Sequence, residues 1–530
     1  MNMTKYIKYF ALVAMAVATV ACTAKFNSFN EDPHNASQED MAHDGNYLGI
    51  FFKGLERSVI PFAWGAEDDQ LDGVYQNVIN LTSDIWAGYM MQTNFTGAVT
   101  DSYVMTDGYI RWMFNQKLKY TMGNWNKIDA FVKENKLEVE QAIANIVKIA
   151  AMHQVTDYYG PIPYSEAGDL TPAYDSQEVI YTSFFDELDK AIEVLENTSV
   201  TSALTDNDIV YHGNVAQWLK FANSLRLRLA MRVVYVKPDL AKAEAEKSAS
   251  SKGGLITSKD DNAYVHPEYD NAYAHHPLKK INEFNNGDTM MGGTIDCYLN
   301  GYSDPRLPKM FKAAAKDGKY HGVRQGIQPG SWDKYNNAGN AISAPNADNY
   351  KLMWMNAAEV AFLQAEGALR GWQMGGTAKE FYEKGIALSF DEWGVEGAAS
   401  YAANTTLKPA NFVDAVDGKS NVNIGSTCTI AYNSTNFETS LEKIITQKWI
   451  ALFPNGPEGW AEVRRTHYPA VLAPKNNSSG GVISDTQGVR RCTYPNAEQR
   501  TNPAGYAQGV ELLGGNDSGA THLWWDQKPF

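Results

Sequence analysis

Apolar positions recur every three or four residues in several separate stretches, which is the spacing of one helix face. From Val139 they fall at Ile143, Ile146, Val147, Ala150 and Val155, and the run ends where Gly160, Pro161 and Pro163 interrupt it in YYGPIPY. Tyr181, Phe184, Leu188, Ala191 and Leu195 form the next stripe, with Glu and Asp opposite. In GNVAQWLKFANSLRLRLAMRVVYVKP, Asn214 suits an N-cap and Trp218, Ala222, Leu225 and Leu229 make the buried face, with Pro238 expected to close the helix. Arg226, Arg228 and Arg232 lie between the apolar positions, where long side chains cover neighbouring helices and pair with acids.

A further pair is predicted in MNAAEVAFLQAEGALRGW and AKEFYEKGIALSF, joined by Gly375-Gly376, with Thr377 as N-cap. Asn356 to Ser389 is 34 residues, and Ala378, Tyr382 and Gly385 repeat the small, aromatic, small spacing of a tetratricopeptide second helix. One such pair cannot bury its apolar face alone, so several must stack. The expected fold is therefore mainly α, an irregular α-solenoid-like array of tetratricopeptide-like helix pairs with long loop-rich insertions. Between about 252 and 350 the helical pattern gives way to Asn, Gly, Asp, Pro and Tyr, and 401–439 and 475–519 are similarly irregular. Binding residues concentrate in loops of this kind held by a rigid scaffold.

The stretch ITQKWIALFPNGPEGWAEVRRTHYP, residues 445–469, holds two tryptophans and an Arg-Arg pair. Ile445, Trp449 and Leu452 share a helix face, Phe453 to Gly456 make a turn, and Pro457 opens a second helix. Trp460 and Val463 are that helix's apolar face, and Glu462 can reach Arg465 one turn on. The spacing assigns both tryptophans to a core between two helices.

Composition adds a compartment. The opening MNMTKYIKYFALVAMAVATVAC has Lys5 and Lys8, an apolar run from Phe10 to Val20, and small residues up to Cys22, the form of an export signal too short to span a bilayer. Thr19-Val20-Ala21-Cys22 resembles a bacterial lipobox, which implies cleavage after residue 21 and acylation of Cys22 as the membrane anchor. The net charge is -15, and losing the two signal lysines makes it more negative still. Such a surface repels nucleic acid. Cys297, Cys428 and Cys492 permit at most one disulfide, so cross-links are not what holds 530 residues together.

Taken in order, FNEDPHNAS, YYGPIPYSEA, WLKFANSLRLRLAMRV, SDPRLPKMF, AAEVAFLQAEGALRGW with YEKGI, KWIALFPNGPEGWAEVRRTHYP, and RRCTYPNAEQRTNPAGY with HLWWD resemble successive blocks of the SusD/RagB nutrient-binding outer-membrane lipoproteins of Bacteroidetes. The resemblance covers most of the chain after the signal. It implies a signal peptide over 1–21 and one SusD-like domain over 22–530, with ligand contacts in the irregular insertions. It also implies a partner, a SusC-like TonB-dependent transporter, and a cargo that is oligosaccharide or, in RagB-like relatives, peptide. A cell-surface, lipid-anchored outer-membrane protein without cofactor or metal is the expectation.

A sugar platform needs aromatic faces beside hydrogen-bonding groups. Trp332, Tyr335 and Asn336 in PGSWDKYNN meet that description, followed by Tyr298 and Tyr302 in CYLNGYSD, Trp64 in PFAWGAEDD, and Trp86 in NLTSDIWAGYMM, which a helix could equally bury. HExxH, GxSxG and GxxxxGK[ST] are absent from the sequence, which favours a binding protein over an enzyme. A secreted glycoside hydrolase stays as the alternative of another class, because a carboxylate pair cannot be picked out of 61 acids. His275-His276 reads as a solvated or hydrogen-bonded loop pair, since adjacent side chains diverge and no second ligand pair is spaced nearby.

Overall fold

The structure, a computed structural model, describes residues 46–62, 71–93, 97–270, 273, 275–284, 287–327, 335 and 341–530. The chain divides into units 1–50 and 51–530. Of the first unit, residues 46–50 are described, and they form the opening turn of helix α1 (Asn46–Arg57).

The helices of nine residues or more then run α2 (Lys119–Asn135), α3 (Glu138–Tyr159), α4 (Gln177–Asn197), α5 (Val215–Arg232), α6 (Pro238–Ala249), α7 (Gly293–Gly301), α8 (Ala357–Leu369), α9 (Ala378–Glu392), α10 (Phe437–Leu452), α11 (Gly456–Thr466) and α12 (Pro503–Leu513). Neighbours in sequence pack side by side from α2 to α6. A second run packs α8 on α9 and α10, and α10 on α11, while α5 against α8 joins the two runs. This is the stacked-pair array expected from the periodicity. Among the described residues no helix is long and apolar enough to cross a membrane.

Local sequence explains the helix ends. Asn214 and Thr377 accept hydrogen bonds from the backbone N–H groups of Gln217 and Glu380, and Glu380 reciprocates to complete a capping box. Pro238 differs from expectation. Helix α5 has already ended at Arg232, and Pro238 instead starts α6, where its missing N–H costs nothing. The 252–350 region also holds more regular structure than its composition suggested: α7, the helix Pro277–Phe284, and two short ladders. Strand β1 (Met90–Gln92) pairs antiparallel with β3 (Thr289–Met291), Met90 opposite Met291. Strand β2 (Ala263–Tyr264) pairs antiparallel with β4 (Met353–Met355).

The core contains an ionic belt. Helix α3 is buried on every side from Ile146 to Tyr159, including His153 and Asp157. Glu458 on α11 accepts from Arg232 at 2.5 Å and contacts His153 at 2.9 Å, while Arg228 holds Glu359 at 2.7 Å. Arg465 grips Glu366 and Glu462, each at 2.6 Å, and Lys448 lies 3.1 Å from Glu462. Burial works to raise the Glu458 carboxyl, but Arg228 and Arg232 hold it well below the usual carboxylate range. The arginines between the apolar positions of α5 are thus structural, as is Arg465. Two glycines permit the close fit of α11: a Cβ on Gly456 would lie 2.1 Å from Asp84 Oδ1, and one on Gly459 would lie 2.7 Å from the Tyr89 ring.

Candidate functional site

A set of described contacts ties together several loop ends into a supported rim. Phe62 packs edge-on against Tyr273 at 5.4 Å between ring centroids, and Tyr75 does the same with His276 at 5.3 Å. Thr93 Oγ1 donates to the Gly287 carbonyl at 2.7 Å, and Gln76 Nε2 donates to Asp288 at 2.7 Å. Asn282 Nδ2 donates to the Thr289 carbonyl at 2.6 Å, fixing the start of β3. At the other end of that strand, Met291 donates to Ser343 and accepts from Val323 through backbone groups. A three-residue strand therefore joins the chain near 93 and 287 to the chain near 323 and 343. His276 is buried rather than solvated, and burial pushes its imidazole down to about 3, so it is neutral at neutral pH.

Of the candidates, Trp64, Trp332 and Asn336 lie outside the described residues, as does Cys22. Tyr335 is 1% exposed, and its hydroxyl donates to the Asp414 carboxylate. Asp414 also accepts from the Val416 and Asp417 N–H groups at 2.8 and 2.9 Å. The Tyr335 ring is a peg, so the expectation of a sugar-facing ring is corrected for it.

Tyr298 and Tyr302 are corrected in the same way. They are buried, with hydroxyls donating to the carbonyls of Ala470 at 3.1 Å and Cys428 at 3.0 Å. Tyr298 packs on Trp449 at 5.4 Å. The signal was present in the sequence: Ile295, Tyr298, Leu299 and Tyr302 are spaced as one face of α7, obscured by the Asn, Gly and Asp around them.

Trp86 sits in the short helix Ser83–Trp86, 4% exposed, and donates from Nε1 to the Thr100 carbonyl at 3.0 Å. It leans on Trp460 at 4.7 Å. Both tryptophans border a cleft of about 320 Å³ lined by α11 and residues 485–490, and none of the other described candidates lines it. Trp449 and Trp460 are buried as the spacing indicated. Among the described residues there is no group of three or more His, Cys, Asp or Glu placed to hold a metal ion.

The architecture is that of a helical scaffold carrying a loop-built rim, and comparison with known proteins gives it a family. The profile described as "SusD-like: Susd and RagB outer membrane lipoprotein" matches residues 28–526. A chitin-binding SusD homolog from Flavobacterium johnsoniae superposes with a TM-score of 0.85 at 38% identity, covering 91% of this chain and 99% of that one. A SusD homolog from Bacteroides uniformis gives 0.82 at 36% identity over 91% and 99%, and one from Bacteroides thetaiotaomicron gives 0.81 at 35% over the same shares. No curated protein matches the chain. The chain belongs to the SusD-like family of outer membrane lipoproteins.

Proposed function

We propose that this protein is a non-enzymatic receptor that captures oligosaccharide at the cell surface and passes it to a SusC-like TonB-dependent transporter. The observation that carries the reading is its 38% identity, over 91% of the chain, to a SusD homolog that binds chitin. The layout supports it: an acidic helical scaffold presents a loop-built rim, and Trp64, Trp332 and Asn336 fall in sequence of loop composition. Those three are proposed to touch the ligand, the tryptophans stacking on sugar C–H faces and Asn336 bonding hydroxyls. Tyr335, Tyr298 and Tyr302 are assigned to support. The proposed anchor is Cys22, acylated after removal of residues 1–21, leaving 22–530 as the working domain.

Calorimetric titration with chito-oligosaccharides, malto-oligosaccharides and mixed peptides tests the reading. Saturable sugar binding is expected. Trp332→Ala should weaken it about fivefold, one lost stack being on the order of 1 kcal/mol, with the unfolding midpoint unchanged. Binding of peptides but no sugar would overturn the cargo. Turnover of a bound oligosaccharide, abolished by changing one carboxylate, would overturn the non-enzyme reading. Labelling with radioactive palmitate should vanish in Cys22→Ser, and persistence of the label would move the anchor elsewhere.

A further inference from the structure

The cleft beside Trp86 shares no described lining residue with the rim and is lined by α11 together with residues 485–490. Trp86, Tyr103, Trp460, Val463, Pro469 and Phe530 supply its apolar lining. At about 320 Å³ it has room for one six-membered ring with a substituent.

Two polar atoms of its lining, both buried, have no partner among the described residues. Arg464 is 1% exposed; its Nη1 donates to the carbonyls of Asp157 at 2.6 Å and Arg490 at 2.9 Å, but its Nη2 donates to nothing among the described residues. His467 Nε2 is likewise buried without a partner. The contrast with the other buried arginines is the telling point. Arg228, Arg232, Arg306, Arg465, Arg490 and Arg491 each face a carboxylate, whereas Arg464 forms no ion pair among the described residues and lies with its guanidinium 3.4 Å from the centre of the Trp460 ring. Nearby Asp526 is already engaged by Arg490, and Asp157 by Arg232. A buried guanidinium without its counter-charge is costly, and a buried polar atom without a partner calls for an explanation.

We propose that this cleft is a second ligand site, taking a small ring compound that bears one carboxylate. The carboxylate supplies the charge that Arg464 lacks, accepting from Nη2 and from the His467 imidazole, while the ring lies against Trp86 and Tyr103. Burial holds the His467 ring down at about 4, so at neutral pH it is uncharged and offers a single N–H. Phe530 also lines the cleft, is 61% exposed and stacks on His467 at 3.7 Å. Asp485 stands at the exposed rim, bonded to Asn477 at 2.8 Å, and disfavours a second negative charge on the ligand, which limits the class to monoanions.

Ring carboxylates come from two sources, acidic sugars and aromatic acids, so the probes are glucuronate and benzoate, with glucose and benzyl alcohol as neutral counterparts. Titration of the full protein by saturation-transfer NMR should show at least one acid binding ten times or more tighter than its neutral counterpart. Which acid binds identifies the source. Arg464→Met should remove that preference. Val463→Trp, a change at a half-exposed position that fills the cleft and leaves the guanidinium in place, should abolish binding even if the arginine variant fails to fold. Trp332→Ala should leave it unchanged, so a failed oligosaccharide assignment and a failed cleft are read separately. The proposal falls if neither acid binds, if the neutral compounds bind equally, or if Val463→Trp binds like the parent.

Discussion

At the scale of single residues, the aromatic side chains divide by what surrounds their polar ends. Trp460 packs against Trp86 at 4.7 Å and Tyr158 at 5.1 Å, and its Nε1 donates to the Val489 carbonyl at 3.0 Å. Trp460→Ala should therefore lower the free energy of unfolding by about 3 to 5 kcal/mol, measured by urea denaturation. An unmoved midpoint would show that the ring is not part of the core. Helical spacing was enough to place Trp449 and Trp460 inside, because a tryptophan at a face-defining position has no other place to go. It did not prevent the misreading of Tyr298 and Tyr302. Tyrosine in polar sequence looks like a binding ring unless one knows where its hydroxyl goes, and here the hydroxyls go to backbone carbonyls 172 and 126 residues away.

Helices and their connections form the next scale, and their boundaries were largely legible because caps are local chemistry. Thr377 and Glu380 satisfy each other's backbone donors within four residues, an arrangement written entirely in adjacent sequence. Thr377→Ala should cost about 1 kcal/mol, read as a lower urea midpoint with an unchanged slope. Pro238 shows the limit. A proline both ends a helix and begins one, and the sequence around it does not say which; here the preceding helix stops at Arg232 and Pro238 opens the next. The short strands β1 and β3 left no readable pattern. Three residues are too few for alternation to stand out, and their pairing joins positions about 200 apart.

For the molecule as a whole, stability responds to pH in two opposite ways. Glu458 and Glu462 lie below their ordinary values because, against burial, buried cations hold them charged. Their contribution is present above about pH 4.3, the unfolded value, and is lost as pH falls through their lower folded values. Asp84 is the reverse. Burial raises it to about 7, so the folded state holds its proton more tightly and stability declines as pH rises from about 4 to 7. Asp101 and Asp296, both raised by burial to about 6, add to the same decline. Asp84→Asn should narrow the loss of unfolding free energy between pH 5 and pH 8 by roughly 1 to 3 kcal/mol. An unchanged difference between the two pH values would place the decline elsewhere. The sequence by itself determined the helical class, the stacked pairs, the inward tryptophans and the structural role of the α5 arginines, because each follows from spacing within a few turns of chain. Tertiary structure alone decided which aromatic rings were already spent on the core, which carboxylate each paired arginine meets, and that Arg464 meets none among the described residues. Those are contacts between residues far apart in the chain, and their partners are chosen by the packing of whole helices.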